Sequence, residues 1–175
     1  MPILIAIIGA LGAAAYWYFR MRDIGVAGRD LVNVANDVRL AARRFGFKRN
    51  ANVHPAESIE DPKVAIGALA VAFLELDDLP SQEARIAMTR ELQQATNVTL
   101  EDAEELAILG RWMMSECGGP EQTVTRLSKK LYKLGGSEHL APLMQVLNAI
   151  GTSGNGTLSE RQRSALDDIK YAFKL

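Results

Sequence analysis

Apolar residues follow two different rules along this chain. From Met1 to Phe19, MPILIAIIGALGAAAYWYF, they run without a charge and stop at Arg20 and Arg22. Beyond that point they recur at intervals of three and four between charged positions, the period of helices with one buried face. At 1.5 Å per residue the first run covers roughly 27 Å as a helix, close to a hydrocarbon core of about 30 Å. Tyr16, Trp17 and Tyr18 fall at its end, where an aromatic belt meets the headgroups. The pattern predicts a transmembrane anchor over residues 1–22. A cleaved signal peptide would want a basic start, which only the terminal amine offers, although Ala13-Ala14-Ala15 could serve as its cleavage site. A buried core helix is the third use of such a run.

Between residues 23 and 49 the apolar positions Ile24, Ala27, Leu31, Val34, Ala35, Val38, Ala41, Ala42 and Phe45 form one helical face, with arginines over much of the rest. This predicts a basic amphipathic juxtamembrane helix, which either lies on an anionic leaflet or packs on protein. Residues 50–62, NANVHPAESIEDP, hold two prolines and no apolar period, and predict a linker.

Residues 63–175 predict about six helices and no alternating strand run. Val64 to Leu76 is apolar almost throughout and reads as a central buried helix. Ser81 to Gln94 follows, with Ile86, Met88 and Leu92 as its apolar positions. Thr99 is placed to cap a third helix, with Asp102 three residues on, and that helix ends at Cys117-Gly118-Gly119. The acidic cluster Glu101, Asp102, Glu104, Glu105 is then a helix start favoured by the dipole rather than a cation site. Glu121 to Leu134 and Leu140 to Ile150 come next. A glycine-rich turn spans Gly151 to Gly156, and Ser159 with Gln162 forms a capping box for the last helix. The fold class is all-α.

Charge sharpens the topology. Residues 20–50 carry eight Lys/Arg against three acids, net +5, whereas residues 51–175 carry twelve against eighteen, net −6. By the positive-inside rule the basic flank stays cytoplasmic and the N-terminus points out. On the span, Ala6/Ala10 and Gly9/Ala13 are small-xxx-small pairs, so Gly9, Gly12 and Ala13, with Trp17, Arg20 and Arg22, are the candidate membrane and partner contacts. The expected partners are membrane lipid and another membrane protein or complex. Nucleic-acid binding has no motif beyond charge behind it.

One cysteine, Cys117, and two histidines, His54 and His139, leave no Cys/His zinc cluster, and Cys117 reads as a small packed residue at a helix end. No Ser/His/Asp layout, glycine-rich phosphate loop or metal triad is present, so no catalysis, cofactor or small-molecule substrate is expected.

Two segments share a layout of apolar helix, polar turn, serine and charged helix: FLELDDLPSQEARI (Phe73 to Ile86) and LNAIGTSGNGTLSERQRSAL (Leu147 to Leu166). In these the chain resembles the TerB-like family, named for tellurite resistance, over roughly residues 64–175. The anchor-plus-domain order resembles that of a bacterial J-domain co-chaperone, without the J-domain. The family's turns have the form Asp-Gly-x-(apolar)-Ser-x-x-Glu, and their acids are proposed to hold a metal ion. In the first turn Asp77, Ser81 and Glu83 match, with Asp78 replacing the glycine and Glu83 one residue early, and the resemblance implies a cation site at Asp77, Asp78 and Glu83. In the second turn Asn155, Gly156, Leu158, Ser159 and Gln162 match, but both carboxylates are amides. Hard cations want carboxylates, so helix caps and a solvated turn explain these residues better. The expected function is a non-catalytic, membrane-anchored interaction or scaffold protein. An accessory or assembly subunit of a larger inner-membrane complex, such as a respiratory one, is the alternative, and a metal-stress-related divalent-ion binder is the second.

Overall fold

Helix α2, Pro62–Glu75, is apolar on every side, and every residue from Val64 to Leu74 is buried. A helix of that composition satisfies its hydrophobic surface only when other helices surround it. The computed structural model describes residues 35–48, 52–77, 79–153 and 156–175. Among them α2 packs against α3 (Gln82–Thr96), α4 (Leu100–Cys117), α5 (Pro120–Gly135) and α6 (Leu140–Thr152), and α7 (Glu160–Ala172) packs on α5. The described residues contain helices and turns and no strand, so the fold is all-α. None of these helices is long and apolar enough to cross a membrane; the apolar run 1–19 and its contact residues Gly9, Gly12, Ala13, Trp17, Arg20 and Arg22 lie outside the described residues.

Small side chains on α2 set how closely its neighbours come. A Cβ on Gly110 of α4 would stand 2.9 Å from the Ala68 Cα and from the Gly67 carbonyl oxygen. One on Gly67 would stand 3.2 Å from the Leu106 Cβ. The two helices therefore cross with backbone against backbone, which a larger residue at either position would prevent.

Local signals define the helix ends. Ser81 caps α3, its hydroxyl accepting from the Ala84 N–H at 3.1 Å, and Asn97 closes it in the left-handed region at φ 51°. Thr99 and Asp102 form the reciprocal capping box of α4. Pro120 occupies the first position of α5, where its missing N–H costs nothing. Pro142 sits in the first turn of α6.

Three expectations are corrected. The segment 50–62 is no open linker in its described part: Pro55–Ser58 is a 3-10 helix, and Ala56 and Ile59 are each 1 % exposed. His54 holds it in place, Nδ1 accepting from the Ala56 N–H and Nε2 donating to the Glu116 carbonyl at 3.2 Å. Two buried residues without a period leave no trace in a periodicity. One compact unit spans Val38 to Leu175. Ile86 is 60 % exposed; the buried face of α3 is Ala84, Met88, Leu92 and Thr96. Helix α6 continues through Gly151 and Thr152, where a turn was expected.

The described part of the basic amphipathic stretch is helix α1, residues 35–44. Within the unit from Val38 onward, Ala41 is fully buried and Val38, Ala42, Phe45 and Phe47 pack on the core. Phe47 meets Trp112 of α4 edge to face at 5.7 Å. Arg44 lies over the first turn of α4, Nη1 2.8 Å from Asp102 and Nε 3.3 Å from Glu105, with Glu101 at 3.6 Å. For residues 38–47, packing on protein is what the structure displays.

Candidate functional site

The two turns that share a sequence layout also meet in space. The end of α2 and the start of α3 supply Asp77, Leu79 and Ser81; the end of α6 and the start of α7 supply Ile150, Gly151, Ser153, Thr157, Leu158, Ser159 and Gln162. Between them is a cleft of about 380 Å³.

The side chains that weld the turns together come from the capping box of α7. Ser159 Oγ accepts from the Gln162 N–H at 3.1 Å and donates to the Leu76 carbonyl at 3.0 Å. Gln162 is 3 % exposed; its Oε1 accepts from the Ser159 N–H at 3.0 Å and its Nε2 donates to the Phe73 carbonyl at 3.1 Å. One partner is a donor and the other an acceptor, so the amide has only one orientation that fits. The Phe73 carbonyl needs this donor because Asp77 N–H, which would continue the helical ladder, bonds Leu74 instead at 3.2 Å. One capping box thus closes two helix ends at once, the start of α7 and the finish of α2.

The rest of the cleft is shaped by size and turn chemistry. A Cβ on Gly151 would come within 2.5 Å of Leu158 Cδ2, so the glycine makes the pocket that Leu158 fills. Gly156 takes φ +65°, a left-handed turn position. Asp77 Oδ1 accepts from the Leu79 N–H at 3.3 Å, an Asx turn that projects Leu79, 87 % exposed, at the rim. Ser153 Oγ donates to the Ala149 carbonyl at 2.6 Å and ends α6.

Of the residues assigned from sequence, Asp77, Ser81, Leu158, Ser159 and Gln162 line this one cleft. Glu83 does not: it is exposed on the first turn of α3, and the nearby Glu75 is engaged by Arg85 at 3.5 Å. Asp78 and Asn155 lie outside the described residues. Asp77 is the only carboxylate among the described lining residues, and no three His, Cys, Asp or Glu side chains gather anywhere among the described residues. Of the three residues of the implied cation site, Asp77 lines the cleft, Glu83 is exposed outside its lining, and Asp78 is among the residues not described. Thr99 caps α4 away from the cleft, with the Asp102 carboxyl held below its ordinary value by hydrogen bonding from Thr99 and then by Arg44. Cys117 is buried, which pushes its thiol up and leaves less thiolate.

Gly151, Ser153 and Thr157 were not picked out from the sequence as parts of the site. Their only local signal is glycine, serine and threonine composition, which any turn shares. Chemically the cleft offers hydroxyls, carbonyls and an apolar rim on a rigid base. That arrangement suits recognition of a surface or segment. Comparison with models of known protein families, with curated proteins and with solved structures finds no match.

Proposed function

We propose that this protein is a non-catalytic interaction module, TerB-like in its helical unit and held at the cytoplasmic face of a bacterial inner membrane by residues 1–22. The observation that supports this most is the meeting of the two similar turns, Asp77–Ser81 and Ser153–Gln162, in one cleft. Turns repeated in sequence and joined by Gln162 and Ser159 form a rigid platform, and the projecting Leu79 gives it an apolar contact point. The apolar run up to Phe19 and its basic flank supply the membrane part of the proposal.

A second reading, an accessory or assembly subunit of a larger membrane complex, is favoured by the small residues Gly9, Gly12 and Ala13 on the same run. A divalent-ion role at Asp77 has less behind it, since Gln162 directs its amide to main-chain groups. Extraction in mild detergent, followed by native gels and mass spectrometry, separates these. A stoichiometric large assembly supports the subunit, and a free monomer or dimer that binds soluble proteins supports the module. Leu79→Asp should weaken capture of those soluble proteins; full capture by that variant would contradict the role given to the cleft. Heat on titration with millimolar Ca²⁺ or Mg²⁺ would restore the ion-binding reading.

A further inference from the structure

Helix α5 is strongly basic in a unit that is close to neutral. Residues 38–175 carry seventeen Lys/Arg against eighteen acids, net −1, whereas α5 carries Arg126, Lys129, Lys130 and Lys133 against the single acid Glu121. Glu121 is engaged by Arg161 of α7, whose Nε donates to it at 2.9 Å. Val124, Leu127 and Leu131 face the core, which turns Arg126, Lys129 and Lys133 outward at spacings of three and four, one exposed row. Lys130 leaves that row to donate to the Glu57 carbonyl at 2.7 Å. No acid stands three or four residues from any cation of the row, so nothing along the helix offsets it. Acids at its margin include Glu57, whose carbonyl takes Lys130, Glu116 at the end of α4, and Glu138, which lies against Gly135 at the end of α5.

The end of α7 joins the end of α5. Phe173 stacks edge to face on Tyr132 at 5.6 Å, and Lys174 Nζ stands 5.1 Å from the centre of the Tyr132 ring. Tyr171, 81 % exposed, and Leu175, 75 % exposed, flank Phe173 and Lys174 in the chain, at the end of α7 that meets the end of α5. A tyrosine and a leucine left in water beside lysines are an unfavourable combination for a solvated face. At a membrane–water boundary they are stable, the apolar groups entering the headgroup layer while the ammonium groups meet lipid phosphates.

We propose that the outer face of α5, with Tyr171 and Leu175 of the chain end, docks on an anionic lipid surface. The inference rests on the membrane-anchored reading above and gives the helical unit its own contact with the bilayer. Each cation near such a surface is worth roughly a fivefold gain in partition, so the three of the row together give on the order of 100-fold. A single-stranded nucleic-acid partner would want aromatic platforms spaced along the basic row, and α5 has one aromatic, Tyr132, which is engaged by Phe173.

The test is amine-reactive footprinting of the full chain on vesicles of phosphatidylcholine alone and of phosphatidylcholine mixed with phosphatidylglycerol. Labelling of Lys129 and Lys133, relative to Lys63 on α2, should fall severalfold on the anionic vesicles only, and high salt should restore it. The variant Arg126→Glu/Lys129→Glu/Lys133→Glu, with unchanged far-ultraviolet circular dichroism, should leave Lys130 and Lys170 equally labelled on both vesicle types. Equal labelling of wild-type Lys129 and Lys133 on the two compositions overturns the proposal, whether or not the variant folds. Flotation separates the two ideas: a chain that floats with both compositions without lysine protection retains its anchor and loses this docking face. A chain that floats only with anionic vesicles, with the lysines protected, retains the face and loses the anchor. Flotation with neither overturns both. Protection by single-stranded RNA but not by vesicles would overturn the lipid assignment in favour of nucleic acid.

Discussion

Replacing Gln162 by glutamate changes one atom type at the junction of the two turns. The Oε1 contact to the Ser159 N–H survives, and a negative charge at the start of α7 gains about 0.3–1 kcal/mol from the helix dipole. The other side of the group decides the outcome. Nε2 now donates to the Phe73 carbonyl at 3.1 Å, and Gln162 is only 3 % exposed, so Gln162→Glu sets an ionised oxygen against a carbonyl oxygen with almost no water to separate them. A buried acceptor left unsatisfied costs about 1–3 kcal/mol, and more when the group facing it is charged. The net expectation at neutral pH is a loss of about 2 kcal/mol, a fall of about 6 °C in Tm for a unit of this size. A carboxyl so placed titrates above its ordinary value of about 4.3, because the neutral form can donate to Phe73 and the ionised form cannot. Its folded pKa is then raised, so the deficit is fully present above that raised value and shrinks as pH falls toward the unfolded value. Gln162→Ala also loses stability, but by an amount that does not change over the same range. Thermal unfolding of the full chain in mild detergent, followed at 222 nm for wild type and both variants across acid and neutral pH, reads this directly. A glutamate variant as stable as wild type at neutral pH, or one whose deficit ignores pH, would refute the double-cap account.

Three further outcomes follow from the same geometry. Gly110→Ala gains about 1 kcal/mol of helix propensity but forces a methyl to 2.9 Å from α2, an overpacking of about 1–3 kcal/mol; denaturant unfolding should show a net loss, larger than for Gly67→Ala, whose Cβ meets Leu106 at 3.2 Å. Asp102 has its carboxyl held low in the folded state, so its contribution is present above the ordinary value of about 3.9 and is lost as pH falls through the lower folded one. Asp102→Asn should therefore be less stable than wild type at neutral pH, with the gap closing in acid. Trp112→Ala removes the edge-to-face partner of Phe47, and limited proteolysis should then cut faster at Arg43, Arg44 and Lys48 while the rest of the unit resists.

Much of the fold can be read along the chain, and the particulars show why. Thr99 with Asp102, Ser159 with Gln162, Gly118 after Cys117 and Pro120 at the start of α5 are all signals between residues at most four apart. Their physics is complete within one turn of helix. The unbroken apolar character of Val64 to Leu74 likewise requires a central helix wherever the others lie. The candidate site was half visible: the two turns were recognisable as similar, and Ser159 and Gln162 as caps.

What stayed hidden was decided by groups far apart in the chain. Ala56 and Ile59 are buried because α4 and α5 lie over them, and no period announces it. Arg44 and the acids of α4 were each visible as charge, but their pairing depends on how α1 packs. Gln162 was legible as a cap for its own helix; that it also caps Phe73, 89 positions earlier, follows from the packing of α7 beside the end of α2. Periodicity and capping are local and could be read from neighbours in the chain, whereas the cleft exists because distant turns satisfy each other's backbone groups, and only the assembled helices bring those groups within hydrogen-bond reach.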